Sequence, residues 1–132
     1  IPMANPNIVS VTSIYGESIG EALTTTLDTA IMTVASDKLL KINYIQVAND
    51  HGSTAVAVTV SITKAGFTSD GIGSGEDNAA VIYLASAVNL PALDVLVVLD
   101  RPIYLMASDT LDAGANPATA DIFVSYEVID DA

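Results

Sequence analysis

The sequence contains no cysteine and no tryptophan, only 2 Phe and 1 His, and only four cationic side chains. Each shortage removes a class of function. Without cysteine there is no disulfide framework, no thiolate metal site and no cysteine nucleophile. The four cations are Lys38, Lys41, Lys64 and Arg101. They cannot form the basic footprint that nucleic acid requires, because phosphate neutralisation needs clustered Lys or Arg. The same scarcity argues against an anionic membrane surface, and no apolar stretch reaches the length of a membrane span. The N-terminus also lacks the charged and apolar regions of a signal peptide. Nucleic acid and membrane are therefore not expected partners.

What the chain does have is acid and aliphatic material. Sixteen carboxylates against four cations give a formal charge of -12, which reads as solubility through self-repulsion. A chain of 132 residues, 51% of them hydrophobic, is the size of one domain. It can hide roughly two thirds of the surface that its unfolded form exposes. Residues 3–132 are expected to form that single domain. Met3-Ala4-Asn5-Pro6 looks like a natural start, so Ile1 and Pro2 read as a remnant in front of it.

The periodicity is that of strands. Across Thr54 to Thr63, Val56, Val58, Val60 and Ile62 share one face, with Ala55, Ala57, Thr59, Ser61 and Thr63 on the other. At the end of the chain Ile122, Val124, Tyr126 and Val128 alternate with Asp121, Phe123, Ser125 and Glu127. Strict period-two alternation with β-branched residues identifies strands. Lys38 to Ala48 alternates through Leu40, Ile42 and Tyr44, then changes phase at Ile45 and Val47, which predicts a bulge or bend. Asn7 to Tyr15, Ala22 to Leu27 and Thr29 to Val34 are shorter β-prone runs. Val81 to Val88 and Val95 to Leu99 are nearly continuous apolar runs, as expected of central strands covered on both sides.

Turn chemistry separates these runs. Asn49-Asp50-His51-Gly52 reads as a hairpin turn. Asp100-Arg101-Pro102 breaks two apolar runs, since Pro cannot donate to a central ladder. The segment from Gly66 to Asn78 is the long loop, and Ala113 to Ala118 another turn. The fold class is all-β, an antiparallel β-sandwich of jelly-roll type, with an immunoglobulin-like order as the alternative.

Candidate chemistry is sparse. His51, the single histidine, would have to serve any nucleophilic triad, yet it sits in an expected exposed turn. Within the long loop, Asp70, Glu76 and Asp77 are the weak candidates for a hard cation, since calcium takes six to eight oxygens. Their spacing matches no EF-hand, so no metal and no cofactor are expected. Glycosidase carboxylates would need aromatic sugar platforms. The 5 Tyr instead lie in or beside expected strands, which suits core or interface positions. The chain reads as a non-enzyme.

Four segments carry a resemblance. They are Met3 to Val9 with Thr12 to Gly16; Lys41 to Asn49 with the Val-rich strand; Asn89-Leu90-Pro91-Ala92 with Ile103-Tyr104-Leu105; and Ala107 to Leu111 with Ser125-Tyr126-Glu127. Together they resemble small β-sandwich virion proteins of tailed bacteriophages, most similar to those infecting marine cyanobacteria. The family more often has Gly at the position of Ser108. The resemblance implies a structural role in the virion, as a head decoration or a tail or fibre component. It also implies repeated identical copies, a trimer above all, bound to other virion proteins. The alternative is an adhesion or glycan-binding module using the loop from Gly66 to Asn78. Apolar residues surplus to one thin sandwich mark Leu39, Val47, Tyr104, Leu105 and Met106 as interface candidates.

Overall fold

The computed structural model describes residues 13–26, 29–65 and 79–130. The regular elements among them are all strands: β1 (Ser13–Ala22), β2 (Thr29–Thr33), β3 (Lys38–Asn49), β4 (Val56–Ala65), β5 (Ala79–Leu90), β6 (Val95–Leu99), β7 (Ile103–Leu105), β8 (Thr110–Asn116) and β9 (Ala120–Asp130). Two antiparallel sheets pack face to face, so the protein is a β-sandwich. The first sheet runs β1-β9-β3-β6, with β7 also on β3, and the second runs β2-β8-β4-β5.

The pairing is nested. β1 pairs with β9, β2 with β8, β3 with β6 and β7, and β4 with β5. This is one long hairpin, closed at β4 and β5 and folded over so that β9 meets β3 and β8 meets β4. Two interlocked Greek keys of this kind make a jelly roll. An immunoglobulin order would place consecutive strands side by side in one sheet, and the first sheet has no such neighbours.

The core follows the alternation. Val56, Val58, Val60 and Ile62 of β4 meet Ile122, Val124 and Val128 of β9 across the sandwich, all buried. Each such side chain stabilises by roughly 1.5–3 kcal/mol. Tyr126 is only half-buried, and its hydroxyl donates to Glu17 Oε1 at 2.8 Å. On β3 the predicted bulge lies between Ile42 and Tyr44. It carries Leu40, Ile42, Ile45 and Val47 to the core side and leaves Tyr44 on the outer side. Val47, expected on the outer face, is therefore fully buried.

Several expectations need correction. β5 and β6 are edge strands rather than central ones, and Val81, Ile82, Tyr83, Val95 and Val97 are exposed. Continuous apolar runs do not distinguish double cover from an uncovered edge. β1 runs through Gly16 to Ala22 instead of ending at Tyr15, and Leu23 to Thr26 are not strand. Asn49 to Gly52 is not a hairpin turn, because β3 and β4 belong to different sheets. Of the segment from Ala113 to Ala118, residues up to Asn116 belong to β8. Asp100-Arg101-Pro102 does interrupt an edge strand, dividing the partner of β3 into β6 and β7.

Candidate assembly surfaces

Loops gather at the two ends of the sandwich, and each end is organised by one buried polar side chain. At one end this is Asn49. Its Nδ2 donates to the carbonyls of Thr54 at 2.9 Å and of Leu90 and Pro91 at 3.2 Å. Its Oδ1 accepts from the backbone N–H of His51 and the hydroxyl of Thr119, both at 3.1 Å. One amide thus ties three connections, those after β3, β5 and β8. His51 belongs to the same end and is half-buried rather than solvated. Its Nδ1 accepts from the N–H groups of Ser53 at 3.1 Å and Thr54 at 3.0 Å, so it shapes the turn.

At the opposite end the organiser is Asp109, which is fully buried. Its Oδ2 accepts from Lys64 Nζ at 2.6 Å and from the Met106 N–H at 3.0 Å. Its Oδ1 accepts from the Ala65 N–H at 3.0 Å. The carboxylate therefore joins the end of β4 to the turn after β7. Ser108, just before it, holds φ at 70°, the left-handed region that favours glycine.

The outer surfaces differ along the two flanks. On the flank of β1 and β2 an apolar cleft of about 280 Å³ lies between the sheets, lined by Ile19, Ile31, Met32, Leu39, Tyr126 and Val128. Burial and the hydrogen bond to Glu17 push the Tyr126 phenol up to about 12. Lys38 bonds Asp130 at 2.6 Å, and that hydrogen bond raises its ammonium above the ordinary lysine value. On the flank of β5, β6 and β7 the apolar side chains point outward. Tyr83 is 59% exposed, Tyr104 50%, and Leu93, in the turn between β5 and β6, 70%. Leu93 also holds φ at 61°, a costly conformation for a branched side chain.

The interface candidates divide accordingly. Val47 and Leu105 belong to the core and have no surface to offer, because their β3 and β7 positions face the second sheet. Leu39 is buried on the cleft between β1 and β2. Met106 is half-buried and Tyr104 exposed. Asp70, Glu76 and Asp77 lie outside the described residues. Among the described residues no group of three or more His, Asp or Glu side chains is placed to hold a metal ion.

The second sheet carries one more feature. Thr59, Ser61 and Thr63 of β4 face away from the core, yet Thr59 and Ser61 are buried. With Asp112, Tyr83 and Ser86 they line a cavity of about 360 Å³. Asp112 is buried there, accepting from Thr63 Oγ1 at 2.7 Å and from Thr110 Oγ1 at 3.0 Å. No feature of the sequence separated this carboxylate, or Asp109 and Asn49, from solvated ones. The signal that could have helped was the run of Thr and Ser on the outer face of β4.

No family model and no curated protein matches the chain. Similar solved structures include the Drosophila NLP core, described for pentamer formation and histone binding. It is 15% identical, with a TM-score of 0.48 over 89% of this chain and 98% of that one. A pentameric capsid protein from metagenomic phage sequences is 18% identical, with a TM-score of 0.33 over 89% and 61%. The VP2 subviral particle of infectious bursal disease virus is 10% identical, with a TM-score of 0.39 over 92% and 38%. At these values the likenesses carry no functional argument.

Proposed function

We propose that this chain is a non-enzymatic structural subunit of a phage virion, a head decoration or a tail or fibre component that assembles as repeated identical copies. The observation that carries the assembly reading is the flank of β5, β6 and β7. Val81, Tyr83, Leu93, Val95, Val97 and Tyr104 are all exposed there, an arrangement rare on a soluble monomer. Leu93 sharpens the point, since a bulky residue is held in a left-handed turn with its side chain in solvent. The virion as the setting comes from the sequence resemblance, and the jelly-roll topology agrees with it as an architecture common in viral shells and lectins alike.

The copies form a trimer in this reading, bound in turn to other virion proteins. Light scattering behind a sizing column tests it, with three times 13.6 kDa as the expected mass. A mass of 13.6 kDa at tens of micromolar would count against self-assembly. Antibody labelling of purified particles tests the location. Saturable binding on a glycan array, with no labelling of particles, would instead support the adhesion module.

A further inference from the structure

We infer that the Asp112 cavity receives a basic side chain from a second copy of this chain, and that Arg101 is that side chain. The inference deepens the self-assembly reading and rests on it. It starts from charge. Asp112 is 5% exposed, and its described partners are hydroxyls alone. A desolvated carboxylate without a cation is costly, and an incoming cation would compensate that cost. The other buried carboxylate among the described residues, Asp109, has such a cation in Lys64.

Candidates to complete Asp112 are few. Lys38 and Lys64 are taken by Asp130 and Asp109, which leaves Lys41 and Arg101. Lys41 is half-buried in the middle of β3, level with Glu127 of β9 and Tyr104 of β7, and no ion pair among the described residues holds it. Arg101 sits in the break between β6 and β7 and is exposed. β6 and β7 edge the first sheet, whereas the cavity opens on the outer face of the second. Donor and acceptor thus belong to different sheets and form no ion pair within one copy, and a contact between copies brings them together.

The cavity suits a guanidinium. A planar fork of N–H donors can meet a carboxylate and neighbouring hydroxyl oxygens together, and it stacks on aromatic rings. Asp112 and Ser61 are level with each other on β8 and β4, and Tyr83 is level with Ser61 on β5. Carboxylate, hydroxyl and ring therefore stand in one row. Around the charges, exposed apolar residues are ready on both sides, Val81 and Tyr83 beside the cavity and Val97 and Tyr104 on the strands flanking Arg101. A head-to-tail repeat of this contact closes as a ring where the rotation between copies allows it, and a reciprocal pair of such contacts makes a two-fold dimer.

The test compares the parent with Asp112→Asn and Arg101→Gln by light scattering across a concentration series. Both variants are expected to weaken association at least tenfold while keeping the parent's far-ultraviolet circular dichroism spectrum. The double variant is expected to be no weaker than either single one, since both remove one contact. An oligomeric parent whose folded variants associate equally well would overturn this inference and leave the self-assembly reading standing. A parent that stays at 13.6 kDa would overturn both. A second readout uses ethylguanidinium chloride on Arg101→Gln, followed by amide chemical shifts. Saturable shifts at Ser61, Asp112 and Tyr83, lost in the double variant, support the cavity's role. Shifts with a neutral monosaccharide and none with ethylguanidinium would assign the cavity to a glycan and overturn it.

Discussion

The two ends of the sandwich solve one problem with different chemistry. Loops arriving from both sheets leave backbone groups that no ladder satisfies, and a buried side chain must take them. At the Asn49 end a neutral amide serves three carbonyls, one N–H and one hydroxyl. At the Asp109 end a carboxylate serves two N–H groups and needs one of the chain's four cations to balance it. The neutral hub is sufficient by itself, whereas the ionic hub is sound only as a pair. Removal of one partner should therefore cost more at the Asp109 end.

The reference for full loss lies between the ends. Val58→Asp places a charge among fully buried aliphatic residues, and an unpaired buried charge far exceeds lost packing in cost. The variant should be unfolded at room temperature by circular dichroism. An unchanged thermal midpoint would refute the facing of β4.

Asp109→Ala comes next. It strands Lys64 and two backbone N–H groups, and breaking such a pair costs about 3–5 kcal/mol. In hydrogen exchange the amides of Ala65 and Met106 should lose protection while that of His51 keeps it. Uniform loss at both ends would show that the hubs are not separate.

Asn49→Ala should be milder. Of the five bonds it removes only that to the Leu90 carbonyl is fully buried, the others lying nearer water, and one unsatisfied buried group costs about 1–3 kcal/mol. Urea unfolding of both variants ranks the ends directly, and a larger loss for Asn49→Ala would reverse the comparison.

The smallest effect expected is a gain. Ser108 holds φ at 70° beside the ionic hub, a conformation that costs an L-residue roughly 1–2 kcal/mol and glycine little. Part of that is offset by glycine's freedom in the unfolded chain. Ser108→Gly should raise the urea midpoint slightly, and a clear fall would mean that the serine side chain has a role of its own.

Much of the fold was legible because strands declare themselves locally. The faces of β4 and β9, the phase change in β3 and the Pro102 break all follow from neighbours a few residues apart. The edge positions of β5 and β6 were not legible. Val81 to Val88 and Val95 to Leu99 read as doubly covered runs, and only the strand order revealed that nothing described covers their outer sides. The interface candidates suffered for the same reason: Val47 and Leu105 are core residues, while Tyr83 and Leu93 were not singled out.

By itself the sequence determined that this is a β protein with one aliphatic core, because alternation and turn chemistry act over a few bonds. It also determined the charge economy, sixteen acids against four cations. Tertiary structure alone decided which polar residues matter. Asn49 reaches Leu90 across 41 positions, Lys64 reaches Asp109 across 45, and Thr63 reaches Asp112 across 49. Such partners meet only once the long hairpin has folded over. No local pattern distinguishes a carboxylate that will be enclosed from one that will stay in water.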